Sequence, residues 1–253
     1  MSDGRDVTED AFLAGRLRLR QPRKGHRAGH DAMLLAAATG AQPGERVVEF
    51  GAGIGAAGFA LASRVKPIDL TLVDVDERLA ALARENAALN GIECRVVVLD
   101  LNSKAEAFSS AGLGPDSADR VLMNPPFNDA DRHQPSPDLD RRAAHEASSS
   151  TLEIWSHAAR RLLKPGGTLT LIWRADGLSH ILATLGRGFG GISVLPVHPR
   201  PDAAAIRVLV QAEKGAGAPL TLLPGLALND AGKPATKADA VLRGEEILRL
   251  GGA

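Results

Sequence analysis

The chain has 253 residues, of which 44% are hydrophobic, and its 30 basic and 30 acidic residues give a formal net charge of zero. This composition is typical of a globular protein that buries a large core without disulfides or structural metals. The single cysteine, Cys94, excludes an intramolecular disulfide, and no apolar run approaches the roughly 20 residues of a membrane span. The charged N-terminus lacks the apolar stretch of a secretory signal, so we expect a cytoplasmic protein without a membrane partner.

Basic residues are concentrated near the N-terminus. Six arginines and lysines lie between Arg16 and Arg27, and no acidic residue follows until Asp31. Such a segment can bind a polyanion, although a solvated arm is the simpler interpretation. We therefore expect a basic N-terminal arm over residues 1–30 and a single domain over residues 31–253.

Short apolar strands alternate with helices from residue 46 onward. This pattern predicts an α/β fold with a mostly parallel sheet and helices on both faces. Five strands are expected in the sheet, at 46–50, 69–74, 95–100, 119–123 and 168–173. Two later apolar runs, at 192–195 and 206–211, are expected to be strands at the sheet edge.

Helices are predicted between these strands. One is expected at 56–63, and another between a capping Asp76 and Gly91, which suits a left-handed terminus. A polar loop at 128–140 is expected to precede a helix at about 149–163, and 164–167 is expected to form a turn. An irregular tail follows, and Thr236 is expected to cap a last helix that reaches Leu250.

A glycine-rich loop follows the first predicted strand. It contains Glu49, Gly51, Gly53 and Gly55 at the start of a helix, where backbone amides face a ligand and glycines let it approach closely. Asp74 ends the next strand, 23 residues after Gly51, where an acid accepts hydrogen bonds from ribose hydroxyls in nucleotide-binding sheets. The sequence therefore predicts an adenosine-type cofactor, either a dinucleotide or S-adenosylmethionine.

The segment Asn124-Pro125-Pro126-Phe127 directly follows the fourth predicted strand. It resembles the Asn-Pro-Pro-(Phe/Tyr) motif of Rossmann-like S-adenosylmethionine-dependent methyltransferases that act on planar amino groups. In this interpretation the Asn124 side-chain oxygen and the Pro125 carbonyl each accept one amine hydrogen, which stabilises the positive charge that develops on nitrogen. Phe127 would stack on the base and orient it. The resemblance thus places the catalytic residues at 124–127 and implies S-adenosylmethionine as the cofactor.

A second resemblance concerns the substrate. The segment Gln21-Pro-Arg-Lys-Gly-His-Arg-Ala-Gly-His-Asp-Ala-Met-Leu-Leu-Ala36 is similar to the Gly-(Tyr/Phe)-Arg-x-x-x-Asp-x-(Val/Met)-Leu-Leu-Ala opening of bacterial tRNA (adenine-N6)-methyltransferases, which modify the adenine beside the anticodon of a valine tRNA. Segments at 144–146, 163–167, 198–200 and 241–245 also look like that family. The resemblance implies a seven-stranded sheet with an antiparallel last strand, and an RNA, most simply a tRNA, as substrate. Together the motifs imply these cofactor-binding residues: Arg27, Asp31, Glu49, Gly51, Ala52, Gly53, Gly55, Asp74, Val75, Asp100, Leu101 and Asn124.

Several alternatives remain open. Guanine-N2 methyltransferases of ribosomal RNA carry the same Asn-Pro-Pro-Phe motif, and glutamine-N5 methyltransferases of release factors carry its tyrosine form. An oxidoreductase that uses a dinucleotide is a third alternative, but it leaves the Asn-Pro-Pro-Phe segment unexplained. A fourth is a non-catalytic RNA-binding module. His26 and His30 have the spacing of metal ligands on a helix, but Gly25 and Gly29 argue against a helix there, so no metal is expected.

Overall fold

The computed structural model of the protein describes residues 6–25, 27–126 and 138–251, with the backbone alone for 138–149. His26, Phe127 and most of the predicted loop lie outside the described residues. No helix in the described ranges is both long and apolar enough to cross a membrane.

The N-terminal segment forms an antiparallel hairpin of β1 (Val7–Phe12) and β2 (Leu17–Pro22). Side chains alternate along β2, so that Leu17 and Leu19 are buried in the main core while Arg18 and Arg20 point outward. The described hairpin of the expected N-terminal arm is therefore packed onto the rest of the fold through its apolar face.

Seven strands of four or more residues form the central sheet: β3 (Arg46–Phe50), β4 (Asp69–Asp74), β5 (Arg95–Val98), β6 (Ala118–Met123), β7 (Leu163–Arg174), β8 (Phe189–His198) and β9 (Arg207–Lys214). Their order is β8-β9-β7-β6-β3-β4-β5, and β9 runs antiparallel to both of its neighbours. The remaining pairs are parallel, which confirms the predicted mostly parallel sheet.

Two short strands extend the sheet to nine strands. They are β10 (Thr221–Leu222) and β11 (Leu226–Ala227), and both pair in parallel with the outer side of β8. A separate hairpin of β12 (Asn229–Asp230) and β13 (Lys233–Pro234) follows. The tail that was expected to be irregular thus covers a sheet edge.

Helices cover both faces of the sheet, as predicted. They are α1 (His30–Ala38), α2 (Ala56–Arg64), α3 (Glu77–Asn90), α4 (Ala105–Ser110), α5 (Asp138–Leu162), α6 (Leu178–Leu185) and α7 (Thr236–Leu242). One core contains buried residues of α1, α2, α3, α7 and the hairpin, and a second core contains those of α4, α5 and α6. The predicted ends of α3 are confirmed, because the Asp76 side chain accepts from the Arg78 amide and Gly91 is left-handed with φ of 61°.

Some predicted boundaries are wrong. Helix α5 begins at Asp138, so the end of the predicted loop is helical, and 164–167 belongs to β7 rather than to a turn. The apolar positions of 138–149 at helical spacing are Leu139 and small alanines among charged residues, so the helical period was clear only from 149. Strand β5 ends at Val98, and Asp100 follows it in a turn.

Two further corrections concern the C-terminal third. Strand β9 was expected at an edge but lies between β7 and β8. Helix α7 ends at Leu242 rather than Leu250, and no side chain caps its start. The left-handed Gly244, with φ of 71°, turns the chain away from the helix.

Candidate active site

Three predicted site segments meet at one edge of the sheet. Strands β4 and β6 flank β3 in parallel, with Phe50 level with Val73 on one side and with Met123 on the other. Asp74 is the last residue of β4, and the glycine-rich loop and Asn124 directly follow the ends of β3 and β6. They therefore lie together at the carboxyl edge, where open α/β sheets bind ligands.

The loop from Gly51 to Gly55 has three left-handed glycines, with φ of 61°, 55° and 86° at Gly51, Gly53 and Gly55. A Cβ on Gly55 would clash with Phe59, whereas a Cβ on Gly53 would meet no atom within 4 Å. The backbone conformation requires glycine at each position. Gly53 in addition faces open space, where a ligand can approach the main chain.

Asp74 ties this loop to the end of β4. Its Oδ2 accepts from the Gly53 amide at 2.7 Å and its Oδ1 accepts from the Asp76 amide at 2.9 Å. Each carboxylate oxygen keeps a second lone pair for a ligand hydroxyl. The neighbouring Val75 is 68% exposed and offers apolar surface beside the carboxylate. Open backbone, carboxylate and apolar side chain together fit an adenosine-type group.

Glu49 lies beneath the loop rather than in the open space. It is 4% exposed, and its Oε2 accepts from the Gly58 amide at 2.7 Å in the first turns of α2. Burial raises the pKa of this carboxyl to about 8, with a further contribution from the nearby negative charge of Asp74. The structure gives this predicted cofactor ligand a contact that supports the start of α2.

Asp100 and Leu101 follow β5, next to the end of β4. The Leu99 amide donates to the Asp74 carbonyl at 2.9 Å, which brings the two strand ends together. Asp100 is exposed, and its Oδ1 accepts from the Asn102 amide at 2.8 Å, a turn of the Asx type. Leu101 is buried, as is Ala52 in the glycine-rich loop.

Arg27 and Asp31 do not pair with each other in the structure. Arg27 donates to Asp10 and to the Pro22 carbonyl, each at 2.7 Å, and Asp31 pairs with Arg207 at 3.0 Å. These contacts fasten the hairpin and α1 to the rest of the fold. The predicted contact of both side chains with the cofactor stays a prediction.

Asn124 carries the most informative side chain of the site. The residue is partly exposed, yet its Oδ1 is buried and has no hydrogen-bond partner within the described ranges. Pro125 is buried and Pro126 is exposed, which places the motif at the boundary of core and open space. A buried acceptor without a partner costs stability unless a donor reaches it. An amine hydrogen of a substrate is such a donor.

Trp155 of α5 was not among the predicted site residues. The residue is only partly buried, and its ring lies against the glycine-rich loop. A Cβ on Gly51 would collide with this ring. No local signal pointed to the contact, because it joins elements about 100 residues apart.

Comparisons with known proteins identify relatives of this chain. Residues 30–199 match the family model described as methyltransferase small domain. A tRNA1(Val) (adenine(37)-N6)-methyltransferase of Porphyromonas gingivalis is 30% identical over 179 residues, which cover 68% of each chain. A release factor glutamine methyltransferase of Chlorobaculum tepidum is 26% identical over 62% of this chain and 54% of that protein.

Solved structures show the same fold. A crystal structure described as a predicted O-methyltransferase, protein Atu636 from Agrobacterium tumefaciens, superimposes with a TM-score of 0.72 at 31% identity. The match covers 87% of this chain and 98% of that one.

Proposed function

The chain belongs to the methyltransferase small domain family, and on that premise we propose that this S-adenosylmethionine-dependent methyltransferase modifies N6 of an adenine in a tRNA. The observation that carries the proposal is the buried Asn124 Oδ1 without a hydrogen-bond partner in the described part of the chain. It lies in an Asn-Pro-Pro segment at the same sheet edge as the glycine-rich loop.

The cofactor is proposed to lie against Gly53, Asp74, Val75 and Asp100. The open space at Gly53 admits it to the backbone, and the Asp74 carboxylate accepts from ribose hydroxyls. The exposed Val75 packs on the adenine ring, and Asp100 accepts from the adenine amine. Bound S-adenosylmethionine supplies an electrophilic methyl group on its sulfonium.

The chain's own contribution to the reaction is to position and polarise the acceptor amine. Asn124 Oδ1 and the Pro125 carbonyl each accept one hydrogen, so the nitrogen lone pair is drawn out of conjugation with the ring. Phe127 is proposed to stack on the base. No dedicated general base is needed, because the nitrogen becomes acidic after transfer and its proton passes to water.

Two acceptors favour an amino group over a hydroxyl. An amine presents two hydrogens, whereas a hydroxyl presents one and would leave one acceptor unpaired. The relative from Porphyromonas gingivalis is named for adenine N6 of a tRNA, and the match extends over most of the present chain. The relative from Chlorobaculum tepidum makes glutamine amide the second substrate to test.

The test is radiolabelled methyl transfer to RNA from a strain that lacks the gene, followed by nucleoside analysis. We expect label in N6-methyladenosine, and we expect Asn124→Ala to lower kcat by about 10²- to 10³-fold, the usual effect of removing one charge-stabilising contact. Binding of S-adenosylmethionine to this variant, measured by calorimetry, should change little.

Asn229→Ala, at an exposed asparagine of the tail, is the matched control and should keep full activity. Label in N2-methylguanosine, or in a protein fraction instead of RNA, would replace the proposed substrate. Full activity of Asn124→Ala would remove Asn124 from the proposed mechanism.

A further inference from the structure

A cavity separate from the candidate active site lies between α5 and α6, on the sheet face that carries the second core. Its volume is about 360 Å³, many times the roughly 30 Å³ that one water molecule occupies in the liquid. Ser156 and Arg160 of α5 line one side, and Thr184 of α6 and the following Arg187 line the other. None of these residues belongs to the glycine-rich loop or the Asn-Pro-Pro segment.

Two hydroxyl groups in this cavity are buried without a partner. Ser156 is 3% exposed, and neither its Oγ nor the Oγ1 of Thr184 has a hydrogen-bond partner within the described ranges. Most buried hydroxyls in folded proteins are paired, and an unpaired one costs free energy. Two such groups on different helices that line one cavity indicate an occupant with polar atoms.

The charge of the cavity indicates the chemistry of that occupant. Arg160 is held by a bond from its Nη1 to the Arg187 carbonyl at 3.2 Å and packs over Gly188. Neither Arg160 nor Arg187 makes an ion pair with a carboxylate in the part of the chain that is described. Two arginines therefore bring positive charge to the cavity without being held in an ion pair there.

The other titratable groups leave this balance positive. His157 and His180 also line the cavity, and Glu153 is the single acidic residue in its described lining. The two arginines and the glutamate give the lining two positive charges and one negative charge. Hydroxyl and guanidinium groups together are the donors that proteins use for phosphate oxygens.

We propose that this cavity binds a phosphate group, with Ser156, Thr184 and Arg187 as its donors. The phosphate is either a free ion or a phosphodiester of an RNA. The RNA source rests on the proposed function, whereas the free ion does not. A phosphate has four oxygens, so it can accept from both hydroxyls and from a guanidinium at once.

Calorimetric titration with inorganic phosphate tests the site itself, at constant ionic strength with chloride as the background. We expect saturable binding that Arg187→Gln and Ser156→Ala each weaken about tenfold. Arg249→Gln, at an exposed arginine near the C-terminus, is the matched control and should bind phosphate like the natural protein. An absence of phosphate binding, or equal binding by all four proteins, would overturn the proposal.

Steady-state methyl transfer to tRNA then identifies the source of the phosphate. A raised KM for tRNA with unchanged kcat in Arg187→Gln, with inorganic phosphate competing in the natural protein alone, indicates an RNA phosphodiester. An unchanged KM together with lost phosphate binding indicates the free ion. Absence of any methyl transfer to RNA would reject the proposed function while leaving the result of the phosphate titration intact.

Discussion

Glu49 illustrates how a single residue couples the site to the stability of the fold. Its carboxyl is buried under the glycine-rich loop and accepts from the Gly58 amide, and burial raises its pKa from 4.5 to about 8. A Cβ on Gly58 would clash with Glu49 Oε2, so the two residues are fitted to each other. The protonated form is the one that the folded chain favours at neutral pH.

This raised pKa predicts a pH-dependent stability. Between about pH 4.5 and 8 the folded chain holds a proton that the unfolded chain releases, so the contribution of Glu49 to the free energy of unfolding falls as pH rises. Glu49→Gln removes this titration. The free energy of unfolding of the variant, relative to that of the natural protein, should therefore be higher at pH 8.5 than at pH 5. The increase should be roughly 3 to 5 kcal/mol at about 1.4 kcal/mol per pKa unit.

Urea denaturation of both proteins at the two pH values measures this gain directly. Because the other carboxyls are common to both proteins, their titration cancels in the difference. An equal stability difference at pH 5 and pH 8.5 would show that Glu49 is ionised in the fold at both values.

At the scale of elements, two asparagine side chains of helix α3 hydrogen-bond to the backbone of β2, as the backbone of a neighbouring strand would. Asn86 accepts from the Arg20 amide at 2.7 Å and donates to the Arg20 carbonyl at 3.0 Å. Asn90, one turn later, does the same for Arg18 at 2.9 and 2.7 Å. Asn86 also donates to the Ile54 carbonyl at 3.2 Å, so the hairpin and the glycine-rich loop share one buried side chain.

Loss of this side chain should therefore destabilise the fold. We expect Asn86→Ala to lower the free energy of unfolding by about 2 to 4 kcal/mol, because it leaves buried backbone groups unpaired. Asn90→Ala, whose partners are reached by water, should cost about 1 kcal/mol or less. Urea denaturation of both variants checks the order, and equal losses would contradict it.

The hairpin also changes how its basic residues are understood. Glu9 of β1 pairs with both Arg18 and Arg20, and Asp10 pairs with Arg27. The pairing of these acids with the cations of 16–27 could not be predicted from the sequence, because only the antiparallel register brings Glu9 opposite Arg20. The positive charge of the basic segment at 16–27, which we propose as a surface for RNA, is thus partly neutralised by acids of the same hairpin.

Glu9→Gln should accordingly strengthen RNA binding. It removes the carboxylate that faces Arg18 and Arg20, and Arg20 keeps its ion pair with Glu85 at 3.6 Å, so Arg18 gains most for phosphates. We expect affinity to rise a few-fold at low salt and to fall more steeply with salt concentration. Asp202→Asn, an exposed acid of the loop before β9, is the control for a general change in net charge. Equal effects of the two variants on filter binding would remove the hairpin from the RNA-binding surface.

For the molecule as a whole, the sequence predicted the sheet better than the tertiary contacts between distant elements. The sheet and the meeting of the glycine-rich loop, Asp74 and Asn124 could be predicted, because apolar strands alternate with helices and the ends of parallel strands share an edge. Helix α1 was missed because Met33–Ala38 is buried all round and shows no polar face. The contact of Trp155 with Gly51 and the pairing of Glu9 depend on tertiary packing, which leaves no local pattern.

The short strands β10 and β11 have a consequence for how copies of the protein meet one another. The outer side of the ten-residue strand β8 would otherwise present a row of unpaired amides and carbonyls, a template on which a second chain could add a strand. Backbone bonds from Leu223 to Val194 and from Leu228 to His198 occupy that side of the strand instead. At this edge the fold protects itself against aggregation with a segment that carries none of the proposed chemistry.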